Sequence, residues 1–338
     1  MKKVLAIVLA LSMILALGVM SVSAADKLTF GYITPGPDTW YLRDVEGFQA
    51  AAELLGVDVV VLNSNYDVSA ELSNIENLVN QQVDGISVFS FNESGAITAA
   101  LKGDEAGIPV VATDSVGQVF NADCDVAGAV DFDWEGMGVD YANWMAENHP
   151  GKDFVIITGN FESVPCQTVN ASMEETANAL GKNKLLTIED GDYTPAVAAD
   201  KAEDLVNSGL EFGIIFVMNE DMAAAVRQRL EDMGVADDYV LIAQNGSEVG
   251  LEMIDKGTLD FTISSSPGWE GFIACLALYN AAVNKDAATN VQYNLPNIAI
   301  TEDTDVSNPI EVVPWTVDVD TYKTLTEQYF PDLYEYIK

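Results

Sequence analysis

Residues Gly31–Gly56 read GYITPGPDTWYLRDVEGFQAAAELLG. The stretch opens on the end of an apolar run, passes through a polar loop, and continues with Val45, Phe48, Ala52 and Leu55 at helical spacing. Gly56 stands where such a helix stops. Strand, loop and helix make one β–α unit. The loop, PGPDTWY, carries Trp40 and Tyr41, although a loop at a strand end cannot bury large rings by itself. Tyr41 falls on the stripe of Val45 and Phe48 at i, i+4 and i+7, so it can finish a helix core. Trp40 lies one residue off that stripe and reads as the wall of a pocket.

The same unit recurs along the chain. KLTFGYI, VDVVVLN, DGISVFSF, IPVVATD, DFVIITG, GIIFVMN, YVLIAQN and DFTISS are short apolar runs, the pattern of parallel strands covered on both faces. Helical patterns stand between them, such as Leu72, Ile75, Leu78 and Val79, or MAAAVRQRLEDM with a Gly stop. The order runs through twice, from Leu28 to about Asp131 and from about Asp153 to Ser264. The fold class is therefore α/β, with two doubly wound parallel-sheet lobes. In such sheets ligands bind beyond the carboxyl ends of the strands. Those ends read TPGPDTWY, SFNESG, TDSVG, GNFESVPCQ, MNEDM, QNGSE and SSSPGWEG. Asn, Asp, Ser and Gly also serve as turns and caps, but seven polar strand ends together favour a binding cleft.

Composition narrows the function. Residues 1–24 read as a cleaved signal peptide: Lys2 and Lys3, an apolar run, then Val22, Ser23 and Ala24. A retained anchor is the alternative; no Cys stands near the cut for lipid attachment. The formal charge of −38 becomes −40 once Lys2 and Lys3 are lost. Such a surface repels nucleic acid and anionic lipid and suits an exported, soluble monomer. Cys124, Cys166 and Cys275 give neither a disulfide framework nor a zinc pattern; one bridge or free buried thiols remain open. The single His, His149, sits in a turn sequence, ENHPG. No glycine-rich phosphate loop follows a strand, and no Ser or Cys has a His to activate it. Asp131 and Asp133, two residues apart, would share one face of a strand, but no other feature marks them as a glycosidase pair. Asp303, Asp305 and Ser307 alternate as in a calcium loop, but the central Gly is missing and Pro314 stands in place of the closing Glu. No enzyme, cofactor or metal is expected. An aromatic face suits the C–H side of a sugar ring, and amides and carboxylates suit its hydroxyls.

In DTWYLRDVEGFQAAAELLGVDVVVLNSNYD, QVDGISVFSF, IPVVATDS, FVMNEDMAAAVRQRLEDMG, VLIAQNGS and LDFTISSSPGWEGFIA, in this order, the chain resembles the type I periplasmic binding proteins, the ribose-binding branch of sugar receptors of ABC importers. The resemblance runs from about Leu28 to about Asp303. It implies a hinge with crossings near Asp131, Ser265 and Pro296. It also implies lobes made of 25–130 with 266–296 and of 131–265 with 297–338. The C-terminal extension from about Asn308 to Lys338 lies outside the resemblance and is expected to pack as a terminal helix against a lobe, with a partner-binding role as the alternative. Carried across, Trp40 and Tyr41 match the aromatic pair after the first strand, with Asp38 a nearby polar contact. Asp114 matches the acid that grips two hydroxyls, Tyr193 the aromatic on the other face of the sugar, and Asn219 a hydroxyl-binding Asn. Four positions depart from the family: Ser115 and Gln167 stand where Arg is usual, Asn245 replaces an acid, and Ser265 a hinge-side Gln. From the residues alone, Asp114, Asn219 and Asn245 also read as caps or turns, and Arg43 as a surface ion pair. The implied function is an extracytoplasmic receptor for a small neutral polar ligand, a sugar or polyol, delivered to an ABC permease. The alternatives are a sensory subunit for a chemoreceptor or kinase, or a binder of a nucleoside, autoinducer or amino acid.

Overall fold

The computed structural model describes residues 27–114 and 119–338; the signal-peptide reading and Ser115 lie outside these residues. Twelve strands among the described residues form two sheets of six. The first has the order β11(Val291–Leu295), β5(Gly128–Phe132), β4(Val110–Thr113), β3(Gly85–Phe89), β1(Thr29–Thr34), β2(Asp58–Asn63), with every pairing parallel. The second runs β12(Ile298–Thr301), β10(Phe261–Ser264), β9(Val240–Ala243), β8(Ile214–Val217), β6(Phe154–Thr158), β7(Leu185–Asp190), parallel except for β12 on β10. All eight apolar runs of the sequence are strands. The four others are β5, β7, β11 and β12. β7 and β11 carry polar residues at the sheet edges, as in LLTIED and VQYNL, and so lack the continuous apolar run of an interior strand. β12 is the short antiparallel edge strand, and β5 is diluted by Gly128 and Asp131.

Helices cover both faces, as the doubly wound pattern requires. On β1, Phe30 and Tyr32 point into the core beneath α1(Thr39–Leu55) and α9(Pro267–Val283), and Ile33 points to the opposite face under α2(Val68–Gln81) and α3(Glu93–Ala106). α9 is apolar on almost every side, and its first twelve residues, Pro267 to Leu278, are all buried. It crosses α1 with backbones in near contact: a Cβ on Gly47 would strike the Gly268 carbonyl, and one on Gly271 the Asp44 carbonyl. That crossing sets Asp44 and Glu270 side by side inside the first half of the molecule.

The chain passes between the sheets at three places. These are between β5 and α4(Trp134–Asn148), between β10 and α9, and between β11 and β12. The C-terminal segment differs from a single terminal helix. It forms α10(Pro309–Val312), α11(Val319–Tyr329) and α12(Pro331–Tyr334). Its rings pack on α9 and β11: Tyr329 and Phe330 on Trp269, Tyr336 on Tyr279, and Phe330 on Tyr293. Only α10 leans on β12. Of residues 297–338, β12 therefore joins the second sheet while most of the remainder lies against helix and strand of the first. No described helix is long and apolar enough to cross a membrane.

Candidate functional site

Two loops at the strand ends are built alike. In the first half, Ser64 and Tyr66 donate their amides to the Thr34 and Pro35 carbonyls (2.9 and 2.8 Å); in the second, Gly191 and Tyr193 donate to Thr158 and Gly159 (2.9 and 2.8 Å). Each tyrosine follows a polar residue and shares its left-handed backbone: Asn65 and Tyr66 at φ 49 and 56°, Asp192 and Tyr193 at 52 and 48°. Each ring lies over a glycine that has no room for a Cβ, Tyr66 over Gly36 and Tyr193 over Gly159. Both rings stay open to solvent, 47% for Tyr66 and 46% for Tyr193. Left-handed backbone on a non-glycine residue is costly, and both halves hold it in matching places. The Tyr193 hydroxyl rests near Cys166 Sγ (3.2 Å) and Ser163 Oγ (3.3 Å).

Asp114 closes β4 with a left-handed φ of 54°. Its amide donates both to the Val130 carbonyl and to Glu270 Oε1, each at 3.1 Å. Burial holds the Asp114 carboxyl well above the ordinary carboxylate range, and the charges of Asp131 and Asp44 add to it. The influence of Asp114 extends to a ring in each half. Tyr41 is pushed up to about 12 by burial first and then by Asp114 and Asp38. Tyr193 is raised chiefly by burial, with Asp114 a smaller contributor. Tyr41 packs edge-on against Phe89 (4.9 Å between centroids) and Tyr66 (6.2 Å), so it faces the strand ends as well as the helix stripe.

The remaining sequence-predicted residues are placed as follows. Asp38 is exposed and accepts a hydrogen bond from the Tyr66 hydroxyl. Trp40 stands edge-on to Phe132 (5.9 Å) and to Trp315 (5.1 Å), which supplies the packing that the helix stripe alone did not. Its neighbour is thus a tryptophan of the C-terminal segment, and Trp315 Nε1 in turn donates to the Asn245 carbonyl at 3.0 Å. Asn245, at φ 132°, exchanges backbone bonds with Ile263 and Ser265. Ser265 is fully buried and its hydroxyl accepts from Gln244 Nε2. Asn219 caps α7(Glu220–Met233), its Oδ1 accepting from the Met222 amide at 2.9 Å. Gln167 is exposed and donates to the Phe161 carbonyl at 2.6 Å. Arg43 pairs with Glu46 at 2.8 Å. The three cysteines are free thiols.

Tyr66, Trp315, Asp44, Asp131 and Glu270 escaped the sequence reading as site residues. Tyr66 had a signal: NSNYD after the second strand repeats the placement of DGDYT in the other half. Asp44 had one too, since it lies three residues after Tyr41 and four before Phe48, on the buried face of an amphipathic helix. Trp315 had none, because only the tertiary path of the C-terminus brings it to Trp40.

A family profile for the periplasmic binding protein domain matches residues 30–286. Among curated proteins, the chain is 25% identical over 261 residues to a xylitol-binding protein of Mycolicibacterium smegmatis, covering 76% of this chain and 72% of that one. It is 22% identical over 231 residues to a ribose import binding protein of Bacillus subtilis, covering 68% and 73%. Among solved structures, a solute binding protein of an ABC transporter from Actinobacillus succinogenes, with bound D-allose, superposes with a TM-score of 0.73 at 17% identity, over 82% of this chain and 98% of that one. One from Bacillus halodurans with bound myo-inositol gives 0.72 at 17% identity, over 85% and 98%.

Proposed function

The chain belongs to the periplasmic binding protein family, and from that premise we propose that it is the exported, monomeric receptor of an ABC importer for a small, neutral, hydroxyl-rich ligand, a sugar or polyol. The observation that carries this reading is the pair of matched strand-end turns that present Tyr66 in one half and Tyr193 in the other, both half-open to solvent, with Asp114 closing the strand end of β4. A carboxylate accepts paired hydroxyls, and rings cover the C–H faces of the molecule that presents them. The xylitol- and ribose-binding relatives support the same class. A ligand that touches both halves favours the closed form by its differential affinity, and the three crossings between sheets are the hinge about which the lobes move. The nine residues named from the sequence, Asp38, Trp40, Tyr41, Asp114, Gln167, Tyr193, Asn219, Asn245 and Ser265, are its proposed lining. Asp38, Asn219 and Gln167 bring oxygens or amides already in use within the protein.

A thermal-shift screen over pentoses, hexoses, alditols, inositols, nucleosides and amino acids tests the reading. Ligand at about 100 times its Kd adds about 2.7 kcal/mol of stability. A response confined to amino acids or nucleosides refutes the ligand class. Mass spectrometry that recovers a bound sugar chemically changed refutes the receptor role in favour of an enzyme.

A further inference from the structure

Beneath Asp114 the first half of the molecule contains an unusual interior. Asp114, Asp131 and Glu270 each offer a carboxylate oxygen within 4.8 Å of the other two. Glu270 is fully buried and Asp131 is 8% exposed. Asp44, also fully buried, adds a fourth carboxylate across the α1–α9 crossing, and its charge acts on both Asp114 and Glu270. Among the described residues, Glu270 Oε2 and Asp114 Oδ1 are buried without a hydrogen-bond partner, and the Asp44 carboxyl faces only the hydroxyls of Thr113 and Tyr32.

Among the described residues, no cation pairs with Asp44, Asp114 or Glu270. The charges that bear on Asp114 and Glu270 are those of other acids in the same cluster. The four residues after Asp114, Ser-Val-Gly-Gln, contain none in their sequence. Arg43, on the same helix as Asp44, is bound to Glu46. Burying several carboxylates without a counter-charge is costly unless they are paired, bind a metal or take up protons.

We propose that Asp114, Asp131 and Glu270, with Asp44 behind them, form a binding site for a hard divalent cation, Ca²⁺ foremost, in the floor of the first lobe. The donors are all oxygens, which selects Ca²⁺, Mg²⁺ or Mn²⁺ over zinc or copper. Calcium takes six to eight oxygens at about 2.3–2.6 Å, so opposite ligands lie about 4.6–5.2 Å apart, and a triangle with sides of at most 4.8 Å surrounds one such ion. Calcium also tolerates the irregular geometry of carboxylates drawn from two helices and two strand ends. Asp131 is oriented for the role, since its Oδ1 accepts from the Phe132 amide and from Trp134 Nε1, both at 2.7 Å. Asp114 is the member that is only partly buried, so the ion would fix the carboxylate proposed above to meet the ligand. The site stands on these residues alone and does not depend on which ligand the cleft takes.

The test uses the whole protein, stripped with chelator, and Ca²⁺ alone. Equilibrium dialysis with metal analysis should find one tightly held Ca²⁺ per chain, and Ca²⁺ should raise the melting temperature. Tb³⁺ bound at the same place should luminesce on tryptophan excitation, because Trp134 touches Asp131, and Ca²⁺ should displace it. In Glu270→Gln and in Asp131→Asn, affinity should fall about 100-fold or more. Asp303→Asn, in the exposed acidic loop, should leave it unchanged. Wild-type protein that holds no stoichiometric Ca²⁺, Mg²⁺ or Mn²⁺ overturns the proposal and leaves shared protons as the means of neutralising the cluster. Ca²⁺ retained equally by both cluster variants, or lost with Asp303→Asn, also overturns it.

Discussion

Glu220 opens α7 and is fully buried, yet it carries structural weight far from its own helix. Its carboxylate accepts from the amides of Gly246 (2.6 Å) and Ser247 (3.1 Å) and from the Thr262 hydroxyl (2.6 Å), so it braces the loop that holds Asn245. Burial raises its pKa from 4.5 to about 7, although these hydrogen bonds pull it back. Between those two values the folded protein keeps a proton that the unfolded chain has released. The stability this group contributes is therefore complete below about pH 4.5 and is lost as pH rises through about 7. At about 1.4 kcal/mol per pH unit, the loss across that window is about 3 kcal/mol. Glu220→Gln removes the titration while keeping the size of the side chain. Urea unfolding of both proteins from about pH 5 to about pH 8 should show the wild type losing about 3 kcal/mol relative to the variant, with other titrating groups cancelling in the difference. Stability curves that run parallel over that range would show that the buried carboxyl does not hold its proton, and would refute the reasoning.

Tyr66→Ala and Tyr193→Ala should each weaken the ligand identified in the screen about tenfold by calorimetry, with melting temperature nearly unchanged because both rings are half-exposed. Asp114→Asn should weaken it by about 10- to 100-fold, the worth of a charged hydrogen bond, and Asn219→Ala should cost about 1 kcal/mol of stability as a lost cap in urea unfolding. Gly47→Ala should destabilise by about 3 kcal/mol in urea, since its methyl meets the Gly268 carbonyl and two helices must part. Unfolding without reductant should expose three titratable thiols per chain.

The fold was legible because interior parallel strands leave an unbroken apolar signature, and β1, β3, β4, β6, β8, β9 and β10 carry it. β7 and β11 were not, because one edge of an edge strand faces water and its composition follows. Of the proposed site, Tyr41, Asp114 and Tyr193 were candidates from their position after a strand, and the structure places each at a strand end or first helical turn. The use to which the other polar residues are put could not be read from position. Asn219 looks the same in a sequence whether its oxygen caps a helix or meets a ligand, and only the 2.9 Å bond to Met222 decides. Trp40 was read as lacking any packing partner because its partner, Trp315, lies 275 positions later, at 5.1 Å in space. Glu270 stood in a strand-end stretch that was noted, but its burial depends on α9 being wrapped on nearly all sides.

The likeness of the two halves and its breakdown separate scaffold from specificity. The matching turns at Tyr66 and Tyr193 repeat hydrogen bonds, backbone angles and glycine floors, so they follow from the repeated β–α plan itself. The carboxylate cluster has no such counterpart: the buried acid of the second half, Glu220, is satisfied by two amides and a hydroxyl, whereas in the first half Glu270 Oε2 and Asp114 Oδ1 are buried without a partner among the described residues. An interior that keeps unmet acceptors at one strand end, and meets them at the equivalent end, makes the two halves unequal in what they can attract. On the proposed function, rings on both sides would cover the ligand while the charge that discriminates among hydroxyl-rich molecules would come from the first side, from Asp114 and what stands behind it.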